Sequence, residues 1–304
     1  MVKLEMLQKL AGNENVREQE PMSSHTTFRI GGPADYFVEI QTEEILAEVI
    51  TYCKETETDY FVLGNGSNLL VRDEGYRGVM LSTRGLSGIE FTEKPAADGK
   101  LSVTAGSGVM LSTLASQVAA KGLKGFEFAS GIPGTLGGAV TMNAGAYGGE
   151  IKDVICSAKV LMNDGTIQVL SKEELQLSYR HSIIQERDMI VLEATFSFES
   201  GDIDEIQETI RELNGKRREK QPLEYGSAGS TFKRPEGHFA GKLIQDAGLR
   251  GYRCGDVMVS EKHCGFVVNV GKGTYAQAME VIEHVQKTVD AEFGVKLELE
   301  VKRI

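Results

Sequence analysis

Basic residues are in short supply: 33 lysines and arginines stand against 44 aspartates and glutamates, a formal net charge of −11. That balance argues against a general nucleic-acid binder, while leaving room for one local basic pocket. There is no long uncharged apolar run, so no membrane span is expected. The four cysteines, Cys53, Cys156, Cys254 and Cys264, form no Cys-x-x-Cys pair, and the zinc-ribbon pattern is not supported. His238, Cys254, His263 and Cys264 fit no standard ligand spacing, so no metal is expected and buried, reduced thiols are the better reading. The opening residues MVKLEMLQKLAGNENV carry acids and lack a signal-peptide core, which predicts a cytoplasmic protein. No repeat or low-complexity segment occurs.

Three familiar glycine motifs are also incomplete. Gly64-Asn65-Gly66 begins like a dinucleotide fingerprint but has Leu69 where the third glycine belongs, and Gly106-Ser107-Gly108 has Leu111. Gly237-His238-Phe239-Ala240-Gly241-Lys242 is one residue short of a P-loop, with Leu243 in place of Ser or Thr. A Rossmann dehydrogenase and a P-loop NTPase are therefore disfavoured. No G-x-S-x-G elbow suggests a serine hydrolase.

What the chain has in excess is glycine in one place. GFEFASGIPGTLGGAVTMNAGAYGG, residues 125–149, holds a dense share of the 35 glycines and a single charge, Glu127. Gly131-Ile132-Pro133-Gly134 reads as a rigid turn, and Gly137-Gly138 leads on into small apolar residues. Backbone N–H groups exposed by such a loop can cradle a diphosphate without lysine or arginine. A closely packed loop without a ligand is the bland alternative.

Length and composition, 304 residues with 41% apolar and 25% charged, fit two or three soluble globular domains. A short helix and a polar linker are expected over 1–20, then a strand at 36–40. Thr42 should cap a helix reaching Cys53, and Asp59–Leu63 should be a strand running into Gly64-Asn65-Gly66-Ser67-Asn68, a β-α-β unit ending at a ligand edge. Short strands follow to 105, then an amphipathic helix over 109–120. Asn163-Asp164-Gly165 signals a hairpin, and Met189–Phe198 alternates as a strand. Composition shifts near 199–202. Helices are expected from Ile203 to the basic run Lys216-Arg217-Arg218-Glu219-Lys220, over 240–247 and over 275–293, with an alternating strand at 295–302.

Few polar residues point to chemistry unaided. Tyr179-Arg180 lies in a polar connection, where a surface arginine is the ordinary expectation. Ser230 sits in a small-residue turn, Gly226-Ser227-Ala228-Gly229-Ser230-Thr231, where serine usually bonds backbone. Glu300 shares a strand face with Lys296, Glu298 and Lys302, the pattern of a solvated charged face. The run at 216–220 could complement a helix dipole or bind an anion.

The chain nevertheless resembles a known family. GIPGTLGGAVTMNAGAYGGE is similar to the flavin-binding stretch of the bacterial UDP-N-acetylenolpyruvoylglucosamine reductases, and Val62–Val71 resembles their other diphosphate loop. Leu177-Ser178-Tyr179-Arg180, Ala228-Gly229-Ser230-Thr231-Phe232 and Leu299-Glu300-Val301 resemble the three catalytic blocks, in the right order over nearly the whole chain. The resemblance implies an α+β fold: two lobes, 1–80 and 81–200, holding FAD in the vanillyl-alcohol-oxidase (PCMH) manner, and a substrate domain, 201–304, whose last strand returns to the flavin domain. It implies cofactor contacts from Gly64, Asn65, Gly66, Ser67, Asn68, Gly131, Ile132, Pro133, Gly134, Gly137, Gly138, Asn143, Gly145, Ala146 and Tyr147. With no His or Cys in 125–149, the FAD is expected to be non-covalent. NADPH would reduce the flavin, and UDP-N-acetylglucosamine enolpyruvate would then be reduced at the same site. Arg180 and Glu300 would stabilise the enolate and Ser230 would protonate it. Tyr179, Arg217 and Lys220 are the implied substrate contacts. The subclass with an extra tyrosine-bearing loop is not matched. A flavin oxidase of the same fold and a non-catalytic flavin- or nucleotide-binding protein are the rival readings; Arg180, Ser230 and Glu300 together favour the reductase.

Overall fold

The structure is a computed structural model that describes residues 2–97 and 99–304. Helix α1 (Leu4–Ala11) is followed by strand β1 (Val16–Pro21), where the sequence reads as a polar linker. Only Val16 of β1 is fully buried, so no apolar alternation marks it. β2 (Pro33–Glu39), α2 (Glu43–Glu55) and β3 (Tyr60–Leu63) make the expected strand–helix–strand unit. Thr42 caps α2, its hydroxyl accepting the Ile45 N–H at 3.3 Å. β4 (Leu69–Leu70), β5 (Tyr76–Ser82), β6 (Ile89–Phe91), β7 (Leu101–Gly106), α3 (Leu111–Ala120) and β8 (Leu123–Lys124) lead to the glycine-rich stretch.

Inside that stretch lies α4 (Leu136–Thr141), a helix that the sequence conceals because glycine is a poor helix former. β9 (Gly145–Ala146) and β10 (Gly149–Glu150) close a hairpin through Tyr147 and Gly148, at φ 53° and 90°. Two positive φ values in a two-residue loop match the twist of the strands. After α5 (Ile151–Val154), β11 (Ile155–Leu161) and β12 (Ile167–Ser171) flank the expected Asn163-Asp164-Gly165 turn. α6 (Ile183–Glu186), β13 (Ile190–Ser200), α7 (Ile203–Lys220) and α8 (Ala240–Asp246) come next. β14 (Arg253–Cys254), β15 (Val257–Val259), β16 (Val267–Asn269), α9 (Tyr275–Phe293) and β17 (Lys302–Arg303) complete the order. The continuous strand expected over 295–302 is not formed; only β17 and an isolated bridge at Leu299 pair.

The chain divides into two compact units, each built from separate segments. The first comprises Met1–Arg17, Phe37–Asn65 and Val79–Arg217; the second comprises Glu18–Tyr36, Gly66–Gly78 and Arg218–Ile304. In the first unit a sheet runs β12-β11-β13-β7-β6, with β8 also pairing β13. β13 is central, and its Ala194, Phe196 and Phe198 enter a core with Phe126, Leu136 and Val140. A four-stranded sheet, not confined to the first unit's segments, runs β1-β2-β5-β3, with β3 parallel to β5, Tyr60 opposite Val79. In the second unit the antiparallel sheet β14-β15-β16 packs with α8 and α9 around a separate core. α9 buries Ala278, Val281, Ile282, Val285 and Val289, one stripe at helical spacing. β17 pairs in parallel with β4, Lys302 opposite Leu69. Among the described residues no helix is long and apolar enough to cross a membrane.

Candidate functional site

The first unit brings two of the glycine loops together. The Asn65 amide donates to Pro133 O at 2.6 Å, tying Gly64-Asn65 to the Gly131–Gly134 turn. A Cβ on Gly64 would lie 2.2 Å from the Thr135 hydroxyl, so glycine is demanded by close approach. The two glycines at the start of α4 differ. A Cβ on Gly137 would meet Ser107 Cβ at 2.8 Å, and the Gly137 N–H donates to Ser107 O at 2.8 Å. Gly137 therefore serves packing, and its N–H is used inside the protein, as is that of Leu136, which donates to Val109 O. Gly138 is exposed, and a Cβ there would find only Thr135 Oγ1, 3.9 Å away.

Two hydroxyls beside these glycines, Ser107 Oγ and Thr135 Oγ1, are buried without a hydrogen-bond partner. An unsatisfied buried donor costs about 1–3 kcal/mol. Glycine faces with orphan hydroxyls between them fit the oxygens of a diphosphate, so this lining is compatible with FAD. Neither Ser107 nor Thr135 stands out in the sequence. Thr135, the residue before a helix, is the one with a readable signal.

Along the same stretch, a Cβ on Gly131 would lie 2.7 Å from Asn214 Oδ1 and 2.9 Å from Arg217 Cδ. Of the basic run, Arg217 is thus the residue laid on the turn. It is half-buried, whereas Lys216, Arg218 and Lys220 are exposed. Burial pushes the Arg217 guanidinium down from its usual range, and nearby Tyr147 opposes this. Gly145 and Ala146 form one strand of the hairpin, and Tyr147 at its tip is 45% exposed.

Arg180 sits on a tight turn. Ser178 and His181 exchange backbone hydrogen bonds of 3.1 and 3.2 Å, leaving Tyr179 and Arg180 as the two central residues. Arg180 has φ 55°, a left-handed conformation costing a non-glycine residue roughly 1–2 kcal/mol. Its guanidinium lies over the Tyr179 ring, 5.2 Å from the centroid. Asn143 is also left-handed, φ 44°, and wholly buried.

The second unit holds the remaining named residues. Thr231 O accepts the Glu300 N–H at 2.9 Å, Phe232 bridges Leu299, and Glu298 O accepts the Lys233 N–H at 2.9 Å. Segments 231–233 and 298–300 are thereby paired, which sets Ser230 beside the backbone of Glu300. The Asn68 amide donates to Glu300 O at 3.0 Å, so the Gly66–Asn68 loop joins the same cluster. Gly66 has φ 60°, and a Cβ would strike His25 O at 2.1 Å. Glu300 is half-buried, unlike the exposed Lys296, Glu298 and Lys302. Ser227 is held differently: its carbonyl accepts the Thr27 hydroxyl at 2.6 Å. Lys220 ends α7 on an exposed face. Among the described residues no group of three or more His, Cys, Asp or Glu side chains is arranged to hold a metal.

Residues 34–171 match an FAD binding domain, and 221–304 match the C-terminal domain of UDP-N-acetylenolpyruvoylglucosamine reductase. The reductase of Agathobacter rectalis is 56% identical over 293 residues, covering 94% of this chain and 93% of its own. That of Lachnoclostridium phytofermentans is 53% identical over 302 residues, covering 99% and 96%. The crystal structure of the enzyme from Thermus caldophilus superposes with a TM-score of 0.80 at 34% identity, over 95% of this chain and 99% of that one. With its α+β architecture, its FAD-binding domain and relatives matched along almost their entire length, the chain belongs to the UDP-N-acetylenolpyruvoylglucosamine reductase family.

Proposed function

We propose that this FAD-containing oxidoreductase reduces UDP-N-acetylglucosamine enolpyruvate to UDP-N-acetylmuramate with NADPH, a step in making peptidoglycan precursors in the cytoplasm. Bound FAD supplies the two-electron transfer from NADPH to the enolpyruvyl double bond. Gly64, Gly138 and the hydroxyls of Thr135 and Ser107 would hold its diphosphate, with Gly66–Asn68 as the second loop. The functional division follows that use: lobes 1–80 and 81–200 for the cofactor, and 201–304 for the substrate.

The chain's own side chains then manage charge and one proton. Reduction at the vinyl C3 leaves a carbanion at C2, delocalised onto the carboxylate as an enolate. Arg180, charged at any working pH and offering a planar donor fork, stabilises that oxygen charge, and Glu300 polarises the enolpyruvyl group with it. Ser230 gives its hydroxyl proton to C2; a neutral serine serves as an acid because so basic a carbanion is beside it. Arg217 and Lys220 bind the anionic part of the UDP substrate, and Tyr179 contacts it.

The observation supporting this assignment is the backbone pairing of Thr231 with Glu300, which brings the backbone next to Ser230, the hydroxyl donor, alongside that of Glu300. An oxygen-using oxidase has no need of that donor.

The test separates the half-reactions. NADPH should bleach the flavin of Ser230→Ala at close to the normal rate in a stopped-flow trace. Reoxidation by the enolpyruvyl substrate should slow by about 10²–10⁴-fold, the usual loss for a positioned acid. Ser227→Ala, whose hydroxyl lies outside the pairing, should leave both steps within a few-fold. Reoxidation of Ser230→Ala at the wild-type rate would assign the proton to another group.

A further inference from the structure

The resemblance places Asn143 among the cofactor contacts, but both donors of its side chain are engaged elsewhere. The amide nitrogen donates to Ser178 O at 2.9 Å and to Glu150 Oε2 at 3.0 Å. The amide oxygen accepts the Lys152 N–H at 2.9 Å. Both donors of the amide are engaged, and the residue has no exposed surface. A side chain so committed has no amide donor left for a flavin.

What it holds is the turn that carries Arg180. Ser178 is the first residue of that turn, and Asn143 grips its carbonyl. The far side is gripped from the same place in the chain. Thr141 O, two residues before Asn143, accepts both the Ser182 hydroxyl and the Gln185 amide, the latter at 2.7 Å. The Gln185 amide also reaches Arg180 O at 3.4 Å. The turn 178–181 is therefore clamped at both ends by residues 141–143. A clamp is physically required, since Arg180 sits in a left-handed conformation that an arginine does not hold by preference. Glu150, the other acceptor of the Asn143 amide, feels the Arg180 charge, which helps hold its carboxyl below the usual range after the larger effect of Lys152.

We propose that Asn143 is a positioning residue for Arg180: by fixing Ser178 O from within the core, it sets where the guanidinium stands when charge develops on the substrate. The inference rests on the enolate-stabilising role of Arg180 given above. A misplacement of about 1 Å in such a group can cost roughly 10²-fold.

The experiment uses the flavin-loaded enzyme with Asn143→Gly, which keeps the positive φ and removes the side chain. Asn143→Asp is the second variant; it keeps the shape and the acceptor for Lys152 but loses the donor to Ser178. Flavin content and NADPH bleaching should stay within about two- to threefold of wild type, because neither needs Arg180 in place. Substrate-driven reoxidation should slow by about 10- to 100-fold. In an Arg180→Ala background the same substitutions should slow it no further, since their route of action is gone. In flavin-free protein the Arg180 Nε–H signal, assigned with Arg180→Lys, should shift in Asn143→Gly. Losses that multiply fully in the double variant, or equal loss of flavin binding, would overturn the inference while leaving the role of Arg180 intact. Wild-type reoxidation in Arg180→Ala would overturn both.

Discussion

Gly137 and Gly138 are identical neighbours with opposite reasons to be glycine. Alanine at 137 must push Ser107 Cβ from 2.8 Å, and overpacking of that kind costs about 1–3 kcal/mol. At 138 an added Cβ finds only Thr135 Oγ1, 3.9 Å away, so the fold should tolerate a valine. If a diphosphate lies against that open face, Gly138→Val keeps its melting temperature and loses flavin affinity, while Gly137→Ala melts earlier. Titration of the two apoproteins with FAD, alongside thermal melts, separates them; unchanged flavin affinity in Gly138→Val would reduce the position to a structural one. At this scale the sequence was informative about kind and silent about use. Both glycines read as cradle residues because a sequence does not show that Ser107 stands 30 positions away with its β-carbon in contact. Glu300 read as one charge on a solvated face for a related reason: its half-buried state comes from the pairing with Thr231, a tertiary fact.

Among elements, α7 shows how one helix divides its labour. Lys216 pairs with Glu212 one turn back on the exposed side, while Arg217 turns toward Gly131. Lys220, at the last position, is left to solvent. Removing a charged hydrogen bond to a substrate costs about 1.5–3 kcal/mol, so Lys220→Ala should raise KM for the UDP substrate by about 10- to 100-fold with kcat little changed. Lys216→Ala, losing only a surface ion pair, should change neither; steady-state kinetics decide, and equal KM increases for NADPH and the UDP substrate would point to a shared effect instead. The elements most legible in advance were those with a strong period. α9 begins at Tyr275 and ends at Phe293 as the spacing predicts, and its capping box of Thr274 and Gln277 was available to read. β1 and α4 escaped notice because one is polar and edge-like and the other is built on glycine. The 295–302 strand was over-read: its alternation is real, but Leu299 meets its partner in a single bridge rather than a ladder.

For the molecule as a whole, one imidazole links folding to pH. His263 is largely buried and its Nδ1 accepts the Gly265 N–H at 3.1 Å, an arrangement open only to the neutral ring. Burial holds its pKa below the ordinary histidine value. The unfolded chain, with a pKa of about 6.5, then binds more protons than the folded one as pH falls. Stability from this group is therefore complete above about pH 6.5 and is lost on acidification. Wild-type protein should melt at a lower temperature at pH 6.0 than at pH 7.5, and His263→Asn, which keeps an acceptor without the titration, should show a smaller difference. Equal pH dependence in the two would clear His263 of the effect. The net charge of −11 had told only of partners to exclude; a linkage of this sort depends on burial, which composition does not report.

The pairing of β17 with β4 also fixes an order of events. Asn68 and Glu300 are joined by a hydrogen bond across 232 positions of chain. Contacts so remote in sequence form slowly, because a long loop must be closed before they repay anything. During synthesis the Gly66–Asn68 segment exists well before residue 300 does, and through that interval it lacks its strand neighbour. The loop and the carboxylate thus mature as a pair: an incompletely made or still-folding chain has neither in working form, and the same late step that seats Glu300 also steadies the loop beside it.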